Sequence, residues 1–246
     1  NLAKKLIKQG IGYGAIRHLT PENRNKFNYI VLNYKPIILN NFSTEISNVV
    51  NRIVLNGYTK LPIKLNHNEI LHAQEYFGKC GFCNSQVYAQ SDKIVNNLDW
   101  LDAKNFKSTS RNFCFKQIDT IRYFNHNPII NFEYLKHVAD LYCGFNTSLY
   151  ELNTFGTFPG KLTSYVMRKH RDFDDFRFLT IFIAWTKTSE KDGATFYAPG
   201  THKSSESSSN MISLCAEAGE VFALDTFGFH AGNPNIVNPR LTSWIR

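Results

Sequence analysis

The spacing of apolar positions changes character near residue 147. Before that point it is helical. Ile46, Val49, Val50, Ile53 and Val54 fall three and four apart on one face, which predicts a helix following Ser43 and stopping at Asn56-Gly57. Residues 58–65 alternate as a strand does. Asn66 or Asn68 caps a helix running to about Phe77, and Asn131 caps another through Phe132, Leu135, Val138 and Tyr142 to Gly144. Thr20-Pro21-Glu22 reads as an N-cap followed by proline at the first helical position.

After residue 147, short β-branched and aromatic runs arrive with turn residues between them: 148–155, 163–169, 178–185, 194–198, 220–224 and 241–245. Six or more strands without intervening helices predict an antiparallel sandwich or barrel. The expected organisation is one domain over 1–246, with a mostly helical support region at 1–145 and a β core at 146–246. The serine-rich stretch at 204–209 reads as a loop between strands.

Composition narrows the class. A 246-residue chain with 43% hydrophobic and 20% charged residues, including 20 Phe, 12 Tyr and 3 Trp, is globular, which excludes disorder, collagen and coiled coil. No apolar run reaches the roughly 20 residues of a membrane span. The five cysteines are odd in number and scattered, so a reducing, intracellular (cytoplasmic) compartment is expected. Cys80-Gly-Phe-Cys83 has the spacing of half a zinc knuckle or a redox dithiol, but no second pair accompanies it and free thiols are the preferred reading. The net charge of +8 reads mainly as a solvated lysine surface and tilts the partner toward an anionic small molecule. No clustered basic and aromatic motif supports nucleic acid. The start without Met and the stop at Trp244-Ile-Arg246 read as a piece trimmed from a longer polypeptide.

The chemistry concentrates in the strand-rich half. His170-Arg171-Asp172 puts an imidazole and a carboxylate at i and i+2, which on an extended backbone point to one side roughly 6.6 Å apart and can chelate one ion. With 8 His and 20 acidic residues, chance supplies about 0.65 such pairs, so context decides. The other match, His67-Asn68-Glu69, lies at a helix start, where residues two apart diverge by about 200°, and reads as a capping feature. Asp174 and Asp175 fit His170 less well. His230 offers a third ligand, and two histidines with one carboxylate on one face of an ion is the arrangement of non-haem Fe(II) oxygenases. Arg240 follows ten residues later. Buried near such a site, a planar guanidinium calls for a carboxylate.

These residues, together with Ala184-Trp185-Thr186, Asp192-Gly193, Pro199-Gly200-Thr201-His202-Lys203 and Gly219-Glu220, resemble the Fe(II)/2-oxoglutarate-dependent dioxygenases, specifically the phytanoyl-CoA dioxygenase-like branch, over roughly residues 118–246. The resemblance implies a mainly β fold with flanking helices: a double-stranded β-helix, or jelly-roll, cupin-like barrel, behind a helical amino-terminal region. It implies Fe(II), with 2-oxoglutarate and O2 as cosubstrates. His170, Asp172 and His230 would be the ligands and Arg240 the anchor of the 2-oxoglutarate tail. Trp185 would be barrel core or cosubstrate wall, and His202 a structural or rim residue. Gly232 stands where some members carry a hydroxyl that holds 2-oxoglutarate. The family's activity releases succinate and CO2; halogenating members replace the carboxylate with a small residue, so Asp172 implies hydroxylation of an aliphatic carbon or a related C–H oxidation. Specificity is expected in the amino-terminal half and the loops at 171–176 and 204–211. The alternative is a barrel of the same architecture acting as a non-catalytic binding or structural module in a larger assembly.

Overall fold

The computed structural model describes residues 20, 22–23, 42–80, 82–84, 112–144, 146–159, 167–175, 177–204, 210–233 and 237–246. Helix α1 (Thr44–Asn56) begins where the Ser43 side chain accepts a hydrogen bond from the Ile46 amide, and ends at Gly57, whose φ of 85° is left-handed. Gly57 is required sterically as well, because a Cβ there would lie 2.0 Å from the Tyr197 hydroxyl. The buried stripe is Ile46, Val49, Val50 and Ile53. Val54, expected on that face, points away and is 42% exposed.

Strand β1 (Tyr58–Lys64) follows, then α2 (His67–Lys79). The cap is Asn66: its side chain accepts from the Glu69 amide, and Glu69 accepts from the Asn66 amide in return. Strands β2 (Phe82–Asn84) and β3 (Asn112–Phe115) and helix α3 (Gln117–His126) lack a strong periodic signal. Helix α4 (Phe132–Cys143) is capped by Asn131 and ends at Gly144, as its pattern predicts. Seven strands follow among the described residues: β4 (Leu152–Thr157), β5 (Thr180–Ala184), β6 (Thr195–Tyr197), β7 (Ile212–Leu214), β8 (Glu220–Leu224), β9 (His230–Ala231) and β10 (Arg240–Ile245). The strand expected at 163–169 is not found over its described part, 167–169, and its remainder lies outside the described residues.

The strands form two antiparallel sheets, one of seven in the order β1-β8-β5-β10-β4-β3-β2 and one of three in the order β7-β6-β9. Three strands of the large sheet thus come from residues before 146. The helices cover its outer face, where Ile53, Phe77, Tyr123 and Val138 pack against Ile183, Val221 and Leu241 in one core. Each such side chain stabilises the fold by about 1.5–3 kcal/mol. The inner face turns toward the small sheet, with Phe222 and Leu224 meeting Tyr197 and Leu214. This is the expected double-stranded β-helix with flanking helices. Among the described residues no helix is long and apolar enough to cross a membrane, and Cys80, Cys114, Cys143 and Cys215 are free thiols.

Candidate metal centre

Between the sheets lies a cavity of about 460 Å³ that His170, Asp172, His230 and Arg240 all help to line. That volume falls in the range of about 300–1,000 Å³ of small-molecule sites. The segment carrying His170 and Asp172 is held by backbone bonds. His170 and His230 exchange amide-to-carbonyl bonds of 2.9 and 3.0 Å, and the Asp172 amide donates to the Thr226 carbonyl at 2.9 Å. The 60 residues that separate His170 from His230 in sequence are closed by the sheet itself, through an antiparallel bridge.

The bridge brings three donor groups together. One ligand atom from each of His170, Asp172 and His230 lies within 4.8 Å of the others. Asp172 Oδ1 is 3.7 Å from His170 Nε2, and Oδ2 is 3.8 Å from His230 Nε2. These separations are too long for hydrogen bonds. Two donors each about 2.0–2.2 Å from one ion lie at most about 4.4 Å apart, so both Asp172–histidine separations suit a shared metal. Both rings are also oriented for ligation. Nδ1 of His170 donates to the Arg168 carbonyl at 2.7 Å and Nδ1 of His230 to the Gly228 carbonyl at 3.0 Å, which leaves each Nε2 as the lone-pair nitrogen facing Asp172. Burial pushes the His230 pKa down, against the opposing pull of Asp172, and favours the neutral ligand form.

Arg240 opens β10. Its Nη1 donates to the Gly193 carbonyl, while its buried Nε has no partner. The surface it retains faces the cavity. Burial pushes its pKa down to about 10, still cationic at neutral pH. A desolvated guanidinium with an unsatisfied donor inside a cavity fits a carboxylate ligand.

Of the two roles expected of Trp185, core holds and cosubstrate wall does not. Its indole is fully buried on the opposite, helix-covered face, against Tyr123 and Phe124, and its Nε1 donates to Ser243 Oγ at 2.7 Å. It does not line the cavity. Ala184, one residue earlier, does, because neighbouring residues of extended chain face opposite ways. The aromatic wall comes instead from Trp244, stacked on Phe155 with ring centroids 4.5 Å apart.

Two arginines acquire roles that local spacing does not reveal. Arg171, expected in a substrate loop, donates to the carbonyls of Thr201, Phe227 and Ser204 at 2.6–2.8 Å and stacks on Phe229, stapling the turns beside the ligands. Arg246 reaches Asp172 directly, its Nη2 donating to Oδ2 at 2.6 Å. His202 stays outside the cluster: its Nε2 meets the Val54 carbonyl at 3.2 Å and ties its turn to the end of α1.

No protein-family profile matches the chain, and a comparison with curated proteins found no match. Solved structures do match. The epimerase SnoN, in complex with Fe3+, α-ketoglutarate and nogalamycin RO, aligns over 81% of this chain and 82% of its own, with a TM-score of 0.54 at 16% identity. EctD from S. alaskensis with bound Fe gives 0.57 at 14% identity over 86% of this chain and 80% of its own. EvdO2 from Micromonospora carbonacea var. aurantiaca, complexed with 2-oxoglutarate, gives 0.56 at 12% identity over 85% and 91%. At such identities the likeness establishes the fold. Fold and site together define a double-stranded β-helix protein with a two-histidine, one-carboxylate cluster at its inner cavity.

Proposed function

We propose that this chain is an Fe(II)- and 2-oxoglutarate-dependent dioxygenase that hydroxylates an aliphatic C–H of a small organic substrate, releasing succinate and CO2. The observation that carries this reading is the convergence of His170 Nε2, Asp172 and His230 Nε2 in a cavity that also holds the under-satisfied cation of Arg240. Solved structures of the same fold that hold Fe, or an α-keto diacid, support it. In this reading His170, Asp172 and His230 bind the metal and Arg240 binds the distal carboxylate of 2-oxoglutarate. Bound iron, with the cosubstrate and O2, supplies the oxidising chemistry.

The chain's own contribution is placement. The Arg168 and Gly228 carbonyls keep both ring protons on Nδ1, so the Nε2 atoms stay free to bind. Phe155, Phe182, Phe222 and Trp244 give the cavity an apolar, water-excluding wall. Residues 1–246 act as one oxygenase domain. The excess of 28 basic over 20 acidic residues favours an anionic substrate, and the free thiols favour a reducing, intracellular compartment. The test is succinate formation by the purified chain supplied with Fe(II), O2 and 2-oxoglutarate across a panel of anionic small molecules. Substrate-stimulated succinate that vanishes in His170→Ala is the expected result; no succinate above that variant with any compound, together with no bound iron, overturns the reading.

A further inference from the structure

Arg246 is the cavity's strongest polar feature that the proposed chemistry leaves without a role. It extends the cavity face of β10: Arg240, Thr242, Trp244 and Arg246 recur every second residue and all line the cavity. Its position is over-determined. The Arg246 amide donates to the Glu151 carbonyl at 2.9 Å, and its carbonyl accepts from Glu151 in return. Its guanidinium lies 4.7 Å from the Trp244 ring centroid, with the side chain only 9% exposed. One nitrogen donates to Asp174 Oδ2, the other to Asp172 Oδ2 at 2.6 Å, and Glu151 Oε2 stands 3.6 Å away.

The consequence falls on Asp172. The terminal torsion of an aspartate is broad, so an unrestrained carboxylate could present either oxygen, or both, to a metal. Here Oδ2, the oxygen 3.8 Å from His230 Nε2, already accepts a 2.6 Å bond from the guanidinium, while Oδ1 faces His170 Nε2 at 3.7 Å. We propose that Arg246 is a positioning residue that locks the Asp172 carboxylate so that it would offer one oxygen to the metal. This rests on the metal reading above.

A cation beside a metal site would, by charge alone, weaken metal binding. Magnitudes decide against that term. Asp174 and Glu151 share the same guanidinium, so its single charge is already more than balanced before the metal is considered. Orientation is what remains, and groups that orient metal ligands contribute about 10–100-fold in affinity.

The test is anaerobic titration of Co(II), without cosubstrate, into wild type, His170→Ala, Arg246→Gln, Arg246→Lys and Asp174→Asn, with visible spectra at saturation and a melting curve for each. Wild type is expected to bind one equivalent and His170→Ala none. Arg246→Gln is expected to bind about 10–100-fold more weakly and to show a changed Co(II) spectrum even when saturated. Arg246→Lys keeps the charge without the fork and stays impaired, while Asp174→Asn, which loosens the arginine and leaves its charge, gives a smaller loss. Should Arg246→Gln fail to fold, the lysine and asparagine variants carry the same comparison. Wild-type binding with both arginine variants, or whichever of them folds, within twofold and spectrally unchanged overturns this assignment alone; no Co(II) binding by wild type overturns the metal reading beneath it.

Discussion

The two faces of strand β10 hold opposite kinds of side chain. Leu241, Ser243 and Ile245 turn to the helices, where they are buried among apolar groups and where Ser243 satisfies Trp185. Arg240, Thr242, Trp244 and Arg246 turn to the cavity. One face gains stability from burial. The other holds two nearly desolvated guanidinium groups, each with an Nε that has no partner: Arg246 is bonded to the Asp172 and Asp174 carboxylates, whereas Arg240 has no carboxylate among the described residues and stands ready for one, an arrangement that costs stability. The pleat lets a single strand do both, because adjacent side chains never share an environment. Stability and chemistry should therefore separate cleanly by residue parity.

The largest expected effect is on the helix-covered face. Trp185→Ala should cost about 3–5 kcal/mol in chemical denaturation, through the cavity it leaves and the lost indole bond to Ser243, whose hydroxyl keeps its contact with Thr154, while the fraction that remains folded binds metal as wild type does. If metal affinity fell with stability held, the separation between faces would be broken. Across the sheet, His230→Ala should reduce Fe(II) affinity by more than about 100-fold, exceeding the loss expected from an orienting group alone. Its denaturation midpoint should move little, since the backbone bridge to His170 does not need the ring.

Arg240→Leu sharpens the contrast further. It should weaken 2-oxoglutarate binding by about 10–100-fold in calorimetry, the worth of a charged hydrogen-bonded contact, yet leave stability equal or higher, since a desolvated cation is removed. The smallest effect concerns His202, which lies off the cavity. Burial pushes its pKa below the ordinary value near 6.5. The unfolded chain therefore takes up the proton first, so this contribution is fully present above pH 6.5 and is lost as pH falls toward the folded value. His202→Asn should flatten the acid side of a stability profile measured by denaturant midpoints, and an unchanged slope would contradict the burial assignment.

What the sequence discloses follows the range of each interaction. Helices α1, α2 and α4 are legible because their caps, Ser43, Asn66 and Asn131, act within three residues. Strands β7 and β9 span three and two residues and exist by pairing with β6, so no local pattern announces them. At the site, His170 and Asp172 are legible from spacing, and His230 and Arg240 from order along the chain. Trp185 stays undecided between core and cavity wall in the sequence because a shift of one residue at a strand end exchanges faces. Arg246 is silent because its contact to Asp172 spans 74 positions; the only hint is its even spacing from Arg240 along a predicted strand.

The most direct measurement is anaerobic absorption spectroscopy of the purified chain with one equivalent of Fe(II) and excess 2-oxoglutarate. If His170, Asp172 and His230 hold iron and Arg240 holds the diacid, a weak metal-to-ligand band should appear in the visible, be lost in His170→Ala, and need far more 2-oxoglutarate in Arg240→Leu. A wild-type spectrum without that band, or the same band in His170→Ala, would contradict the account.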